Sequence, residues 1–258
     1  MTNLAVNKYT FNCSITPPIE SEFSLHVPPF DVVARESTLT LKATADAADE
    51  QRLRAQADEV AQNLARSLSF ERGDRFQVAC GGYHVLRPSG QQSVTHTFHV
   101  RVNPAVVATS GTVECEVRDA AGNVIDSSAL RREREQQAMQ QRVALQATRA
   151  VRDAHLRDML DHWARYAADG EGRLHPLYDV LQVAECRYGS RKKAATALKI
   201  LDADLSDLGR ISNDPTMLNG RHPGRASGPH RIATEAEVAT CERVARAIIE
   251  NYAATVVI

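Results

Sequence analysis

A run without glycine or proline, from Ser127 to Asp169, most limits what the chain can fold into. Its composition of Ala, Arg, Gln, Glu and Leu favours helix. The stretch from Arg131 to Arg142 is almost wholly polar, so we expect either a solvated connector or one face of a dimeric coiled coil. Apolar residues then recur at helical spacing from Met139 to Trp163. One continuous helix would span roughly 60 Å, and a break near Gln146 is equally allowed.

Residues before this run show strand-like alternation around a single helical segment. The predicted strands are Tyr9–Ile15, Thr38–Thr44, Phe76–Leu86, Val94–Val102 and Val113–Val117, with a hairpin turn at Ala120–Asn123. The Pro17–Pro18 and Pro28–Pro29 pairs should interrupt strand pairing, because proline cannot donate a backbone hydrogen bond. Asp46 is a suitable N-cap for a helix whose apolar side carries Leu53, Ala57, Val60, Ala61, Leu64 and Leu68. We therefore expect an antiparallel sheet with one packed helix.

The remainder of the chain predicts helices only. Gly189 is placed to end a helix that begins near His175. Thr234 and Glu237 form a capping box before the last helix, whose apolar stripe comprises Val238, Cys241, Val244, Ala245, Ile248 and Ile249. The predicted fold class is α+β, with an N-terminal antiparallel sheet and packed helix followed by an all-α helical bundle. The expected domains are a small α+β domain at 1–127, a connector or first bundle helix at 128–168, and the bundle at 169–258.

Charge and cysteine usage restrict the setting in which the protein works. A net charge of -1, from 31 basic and 32 acidic residues, gives no global attraction to nucleic acid or anionic membrane. The five cysteines are odd in number, far apart and without CxxC or Cys/His ligand spacing, which argues against a disulfide framework or a zinc knuckle. No signal-peptide layout and no long apolar window is found. We expect a soluble cytoplasmic protein that does not contact membrane.

The loop from Asn213 to Glu237, which is broken by glycine and proline, carries the most unusual chemistry in the chain. It concentrates basic residues within eleven positions: Arg221, His222, Arg225, His230 and Arg231. Arginine forks beside a helix N-terminus favour phosphate or another anion. Lys192 and Lys193, near an earlier helix start, would extend this basic face. The alternative is a solvated loop whose arginines pair with carboxylates such as Asp202, Asp204 or Asp214.

One pair in this loop resembles a known motif. Arg225 and His230 stand as R-x4-H, in RASGPH, between helices of the all-α half. This spacing resembles the R-x4-6-H signature of HEPN domains, which are helical bundles of bacterial defence and toxin systems. Catalytic HEPN members cut RNA without metal, usually across a homodimer. The resemblance therefore implies Arg225 as a phosphate ligand and His230 as general acid or base. Arg221 and His222 as the functional couple, and a non-catalytic relative, are the other interpretations.

Two classes of function follow from these features. The first is a binding or regulatory module that uses the helical half to dimerise or dock a partner, in a bacterial stress or defence pathway. The second is a metal-independent ribonuclease. The expected partners are a second copy of the chain, RNA or a nucleotide, or another protein. No cofactor is expected. Asp169 and Gly170 more simply end a helix, so no metal is expected either, although five nearby side chains could suggest a metal site: Asp161, His162, Asp169, Glu171 and His175.

Overall fold

The computed structural model describes residues 7–45, 49–87, 92–96, 116–118, 124–169, 173–222 and 229–257. In chain order the elements are β1 (Asn7–Val27), β2 (Phe30–Ala45), α1 (Glu50–Arg72), β3 (Gln77–Leu86), β4 (Gln92–His96), β5 (Glu116–Arg118), β6 (Val124–Ser127), α2 (Ser128–Arg152), α3 (Ala154–Ala168), α4 (His175–Tyr188), α5 (Arg191–Leu198), α6 (Asp202–Ser212) and α7 (Glu235–Thr255). An antiparallel sheet has the strand order β2-β1-β3-β4, and β5 pairs separately with β6. The predicted α+β fold class is confirmed.

A long hairpin of β1 and β2 supplies much of the core of the sheet. Its turn follows Val27, where the Pro28–Pro29 pair predicts an interruption. The Pro17–Pro18 pair does not end β1, as the sequence had predicted, but coincides with a shift in pairing register. Such irregularities bend a strand. The rings of Phe11 and Phe30 meet at 5.9 Å, so the tip of the hairpin packs against the first half of β1.

A disulfide joins Cys13 of β1 to Cys80 of β3, the neighbouring strand in the sheet. The expectation that the cysteines do not pair is therefore wrong for these two. Their sequence separation of 67 residues concealed the pairing, because only the strand order brings them together. Cys186 and Cys241 carry free thiols, the first exposed and the second buried.

Helix α1 contributes residues to two compact units. The sheet unit comprises Met1–Ala57 and Val78–Leu145, and the helical unit comprises Asp58–Gln77 and Gln146–Ile258. In the sheet unit, the first turn of α1 lies on β3, where the Tyr83 hydroxyl donates to the Glu50 carboxylate at 2.6 Å. This division differs from the predicted domain boundary after residue 127, although the change from strand to helix does fall there.

Phe70, near the end of α1, lies inside the core of the helical unit. Its ring meets that of Trp163 in α3 edge-on at 5.2 Å. The guanidinium carbon of Arg246, in α7, lies 4.5 Å from the centre of the Phe70 ring. The same guanidinium donates to the Phe70 carbonyl oxygen at 2.9 Å. The predicted apolar side of α1 is buried, and the polar side chains of Asn63 and Ser67 are buried as well. This helix is therefore enclosed on more than its apolar side.

The run without glycine or proline forms two helices, which meet at Asp153 rather than near Gln146. The Asp153 carboxylate accepts from the backbone N–H of Leu156 at 2.8 Å, which caps α3. It also accepts from the Tyr252 hydroxyl at 3.1 Å, and burial together with this carboxylate raises the pKa of Tyr252 to about 12. Asp153 thereby ties the break to the last turns of α7. The polar stretch from Arg131 to Arg142 is mostly exposed, as predicted.

Candidate functional site

The backbone of the loop between α6 and α7 is fixed on both sides of residues 223–228, which lie outside the described ranges. Leu218 N–H donates to the Arg231 carbonyl at 2.8 Å, and Arg231 N–H donates to the Thr216 carbonyl at 3.0 Å. Arg221 N–H donates to the carbonyl of Ser212, the last residue of α6, at 2.7 Å. On either side of that segment, the described backbone of the loop is therefore held in a defined place.

Asn219 attaches this loop to the start of α4. Its carbonyl accepts from the backbone N–H of Leu174 at 2.8 Å, and its side-chain oxygen accepts from that of Ala233 at 3.0 Å. A groove of about 680 Å³ results, here called the loop groove, lined by Arg173, His175, Leu218, Asn219, Gly220, Arg221 and Ile232. Leu174, the N-cap of α4, has no side-chain capping bond. An anion here would therefore meet the positive end of a helix.

Arg221 is the cation that the loop groove leaves available. Its guanidinium carbon lies 4.6 Å from the centre of the Tyr178 ring. Stacking of this kind orients the planar fork while leaving its N–H edges for a ligand. Over the described part of the chain, no carboxylate lies within ion-pair distance of this guanidinium. A bound anion would supply the counter-charge that these residues do not provide.

Arg231 has the opposite environment. Its guanidinium donates to Glu237 at 2.7 and 2.8 Å and to Asp214 at 3.2 Å. These contacts raise the pKa of Arg231 above its usual value, and they help to lower the pKa of Glu237 to about 2. The charge of this exposed side chain is thus paired with carboxylates of the protein, as the alternative interpretation of the loop predicts. The pairing with Asp214 was among those expected.

Of the two residues in the R-x4-H motif, only His230 lies within the described part of the chain. His230 is exposed at the end of the loop, whereas Arg225 lies outside the described residues. The pairing of Arg225 with His230 therefore stays a prediction. His222, the alternative partner for Arg221, is half-buried next to it in the chain.

Lys192 and Lys193 are exposed on the first turn of α5 and do not line the loop groove. Ser190 caps that turn by accepting from the backbone N–H of Lys193 at 3.3 Å. Neighbouring Arg191 pairs with Glu185 at 2.6 Å, two turns along α4 from Tyr178. The structure therefore does not join the two lysines to the groove.

A histidine–aspartate–histidine cluster lies beside the groove. Sequence reasoning considered its two histidines only as candidate metal ligands and did not include Asp179. Asp179 of α4 faces His175 Nε2 at 3.3 Å and His162 Nδ1 of α3 at 3.4 Å. The second contact has ion-pair distance without hydrogen-bond geometry. Burial, aided by the charge of Arg165, lowers the pKa of His162 despite this carboxylate. The spacing of four residues from His175 to Asp179 could have signalled the first contact, because such pairs meet on a helix.

Arg173 is another residue of the groove that sequence reasoning did not single out. It precedes α4 and pairs with Asp169 at 3.5 Å. Of the two described arginines in the groove, Arg173 therefore has a carboxylate partner and Arg221 has none among the described residues, while His175 lies beside Asp179.

Among the described residues, no group of three or more His, Cys, Asp or Glu side chains is arranged to hold a metal ion. No helix within them is long and apolar enough to cross a membrane. A scan against protein-family models, a search of curated proteins and a search of solved structures each found no match to the chain.

Proposed function

We propose that the helical unit is a binding module that takes an anionic ligand in the loop groove. The observation that carries this proposal is the environment of Arg221, which is half-buried, stacked on Tyr178 and without a carboxylate partner among the described residues. By contrast, Arg191, Arg210 and Arg243 of the same unit each pair with a carboxylate. A planar arginine fork binds phosphate and carboxylate through two parallel hydrogen bonds.

Two further features of the groove support an anion. Arg173 and His175 lie in its wall with Arg221. The α4 N-terminus, which has no side-chain cap, adds a partial positive charge. The volume of about 680 Å³ lies within the usual range for small-molecule sites. Binding of the ligand would regulate how the protein interacts with a second copy of the chain or with another protein.

Titration with inorganic phosphate tests this proposal. Phosphate, compared with chloride at equal ionic strength, should raise the unfolding temperature of the full chain and shift amide resonances of residues that line the groove. In Arg221→Gln the affinity should fall at least about tenfold, because one charge-assisted bidentate contact is worth about 1.4 kcal/mol or more. Arg210→Gln is the matched control, since Arg210 pairs with Asp207 on α6 and does not line the groove. Equal binding by wild type and Arg221→Gln would contradict the proposal.

A metal-independent ribonuclease that uses Arg225 and His230 is the second candidate. Exposure of His230 at the end of the loop favours it, because a general acid or base must reach its substrate. The assay is cleavage of single-stranded RNA with EDTA present. Cutting that is lost in both Arg225→Ala and His230→Ala would support the enzyme. No cutting by wild type at high concentration would leave binding as the function.

A further inference from the structure

We infer that the ligand of the loop groove is a small organic anion with an apolar body attached directly to its charged head. This inference rests on the proposed anion site and names the class of its ligand. Leu218 is 50% exposed and Ile232 is 66% exposed, and both line the groove together with Arg221. One wall of the groove is therefore apolar while another is cationic.

The two apolar side chains are held in place by the fold of the loop. Met217, next to Leu218, is fully buried in the core of the helical unit. Met217 also forms a parallel bridge with Arg231, the residue before Ile232. Single exposed leucines are common on protein surfaces. Two large apolar residues fixed side by side in a groove with a cation are a different case, since ligand sites combine apolar walls with a few polar anchors.

The charge around the groove argues against a long polyanion as the ligand. Among the described residues that line the groove, Arg173 pairs with Asp169 and His175 lies 3.3 Å from Asp179, so two of the three basic groups already have a carboxylate neighbour. Nucleic-acid surfaces instead carry many cations along the backbone path. Among its described residues, the groove thus presents one cation without a carboxylate partner beside an apolar wall. A ligand with a single anionic head and a compact apolar body complements both walls.

Three ligands distinguish the contributions of head and body. They are inorganic phosphate, phenyl phosphate and benzoate, each titrated into the full chain by NMR or calorimetry. Phenyl phosphate should bind at least about tenfold more tightly than inorganic phosphate, because its ring removes apolar surface of Leu218 and Ile232 from water. Benzoate that matches phenyl phosphate would assign a carboxylate head and would also support the inference.

Substitutions in the apolar wall separate this inference from the proposed function. Leu218→Ser and Ile232→Ser should bring the affinity ratio of phenyl phosphate to phosphate towards one, while the affinity for phosphate alone stays the same. Leu201→Ser is the control, because Leu201 is 71% exposed at the start of α6 and does not line the groove. Arg221→Gln should weaken both ligands. Circular dichroism and unfolding temperature verify that each variant is folded.

The outcomes are distinct. Equal affinity of the wild type for phosphate and phenyl phosphate overturns the inference and leaves the anion site standing. Binding of neither ligand overturns the proposed function and the inference with it. A ratio that does not change in Leu218→Ser and Ile232→Ser also overturns the inference, since the body would then bind elsewhere.

Discussion

Glu237 serves two purposes at the start of α7. Its carboxylate accepts from the Thr234 backbone N–H at 2.9 Å, while Thr234 Oγ1 accepts from the Glu237 N–H at 3.3 Å, which completes the capping box. The same carboxylate receives the fork of Arg231. The Arg231 hydrogen bonds, followed by the Thr234 N–H, lower the pKa of Glu237 from its ordinary value of 4.5 to about 2. The start of α7 and the end of the loop are therefore held by one ionised group.

This arrangement predicts a pH-dependent loss of stability. Because folding lowers the pKa of Glu237, its contribution is fully present above about pH 4.5 and is lost as the pH falls towards 2. Glu237→Gln should reduce the free energy of unfolding by about 1 kcal/mol at pH 7, the typical value of a helix cap. The difference from wild type should shrink in urea titrations near pH 3. Glu235→Gln, an exposed carboxylate in the same turn, controls for the helix dipole; an equal effect there would contradict the prediction.

Residue-scale features divide into those that sequence can predict and those that it cannot. The capping box at Thr234 was predicted because its rule needs only residues three apart. The different interaction partners of Arg221 and Arg231 could not be predicted from the sequence of the loop itself. They depend on Tyr178 and on the positions of Asp214 and Glu237, which the tertiary fold brings to the loop. Likewise, the sequence alone could not assign Arg173 and Asp179 to the site, because only the fold places them in or beside the groove.

At the scale of the element, two helices of the helical unit end in the left-handed region with different residues. Gly189 follows α4 with φ of 83°, and Lys199 follows α5 with φ of 54°. A β-carbon at position 189 would meet nothing within 4 Å, so only the backbone conformation opposes a side chain there. This conformation favours glycine by about 1 kcal/mol.

These two positions predict substitutions of opposite sign. Gly189→Ala should lower the free energy of unfolding by about 1 kcal/mol, and Lys199→Gly should raise it by up to about the same amount. Gly189→Asn should cost less than Gly189→Ala, because asparagine tolerates the left-handed region. Chemical denaturation of the three variants measures the effects. A change of the same sign at both positions would refute the assignment of these caps.

Element existence was more predictable than element boundaries. The stripe of α7 and the strand from Gln77 to Leu86 follow from local periodicity and were predicted. The course of β1 through Pro17–Pro18 was not, because a register shift accommodates what a regular ladder would exclude. The break at Asp153 escaped prediction for a similar reason. The break requires only the Asp153 carboxylate as a cap for α3, and the Tyr252 hydroxyl that supports this carboxylate comes from a helix 99 residues later in the chain.

At the scale of the whole molecule, the Cys13–Cys80 disulfide predicts a difference between the two units. Cys13→Ser should destabilise the sheet unit by about 2–4 kcal/mol, since the cross-link closes a long loop. Hydrogen exchange should accelerate in peptides of β1 and β3 and stay unchanged in α4 and α7. Cys186→Ser, which removes an exposed free thiol, is the control. Peptide mapping without reductant that recovers Cys13 and Cys80 as separate peptides would contradict the cross-link.

The division of α1 between the units has a consequence for how the protein is made. Phe70 belongs to a core whose other walls include Arg246, a residue 176 positions later in the chain. At ordinary rates of about 5–20 residues per second, the ribosome needs roughly 10–35 s to supply those partners. During that interval, residues 58–77 carry apolar surface without the neighbours that cover it in the finished protein. The helical unit is therefore complete only after α7 has been synthesised, and until then this early segment exposes apolar surface to which a chaperone can bind.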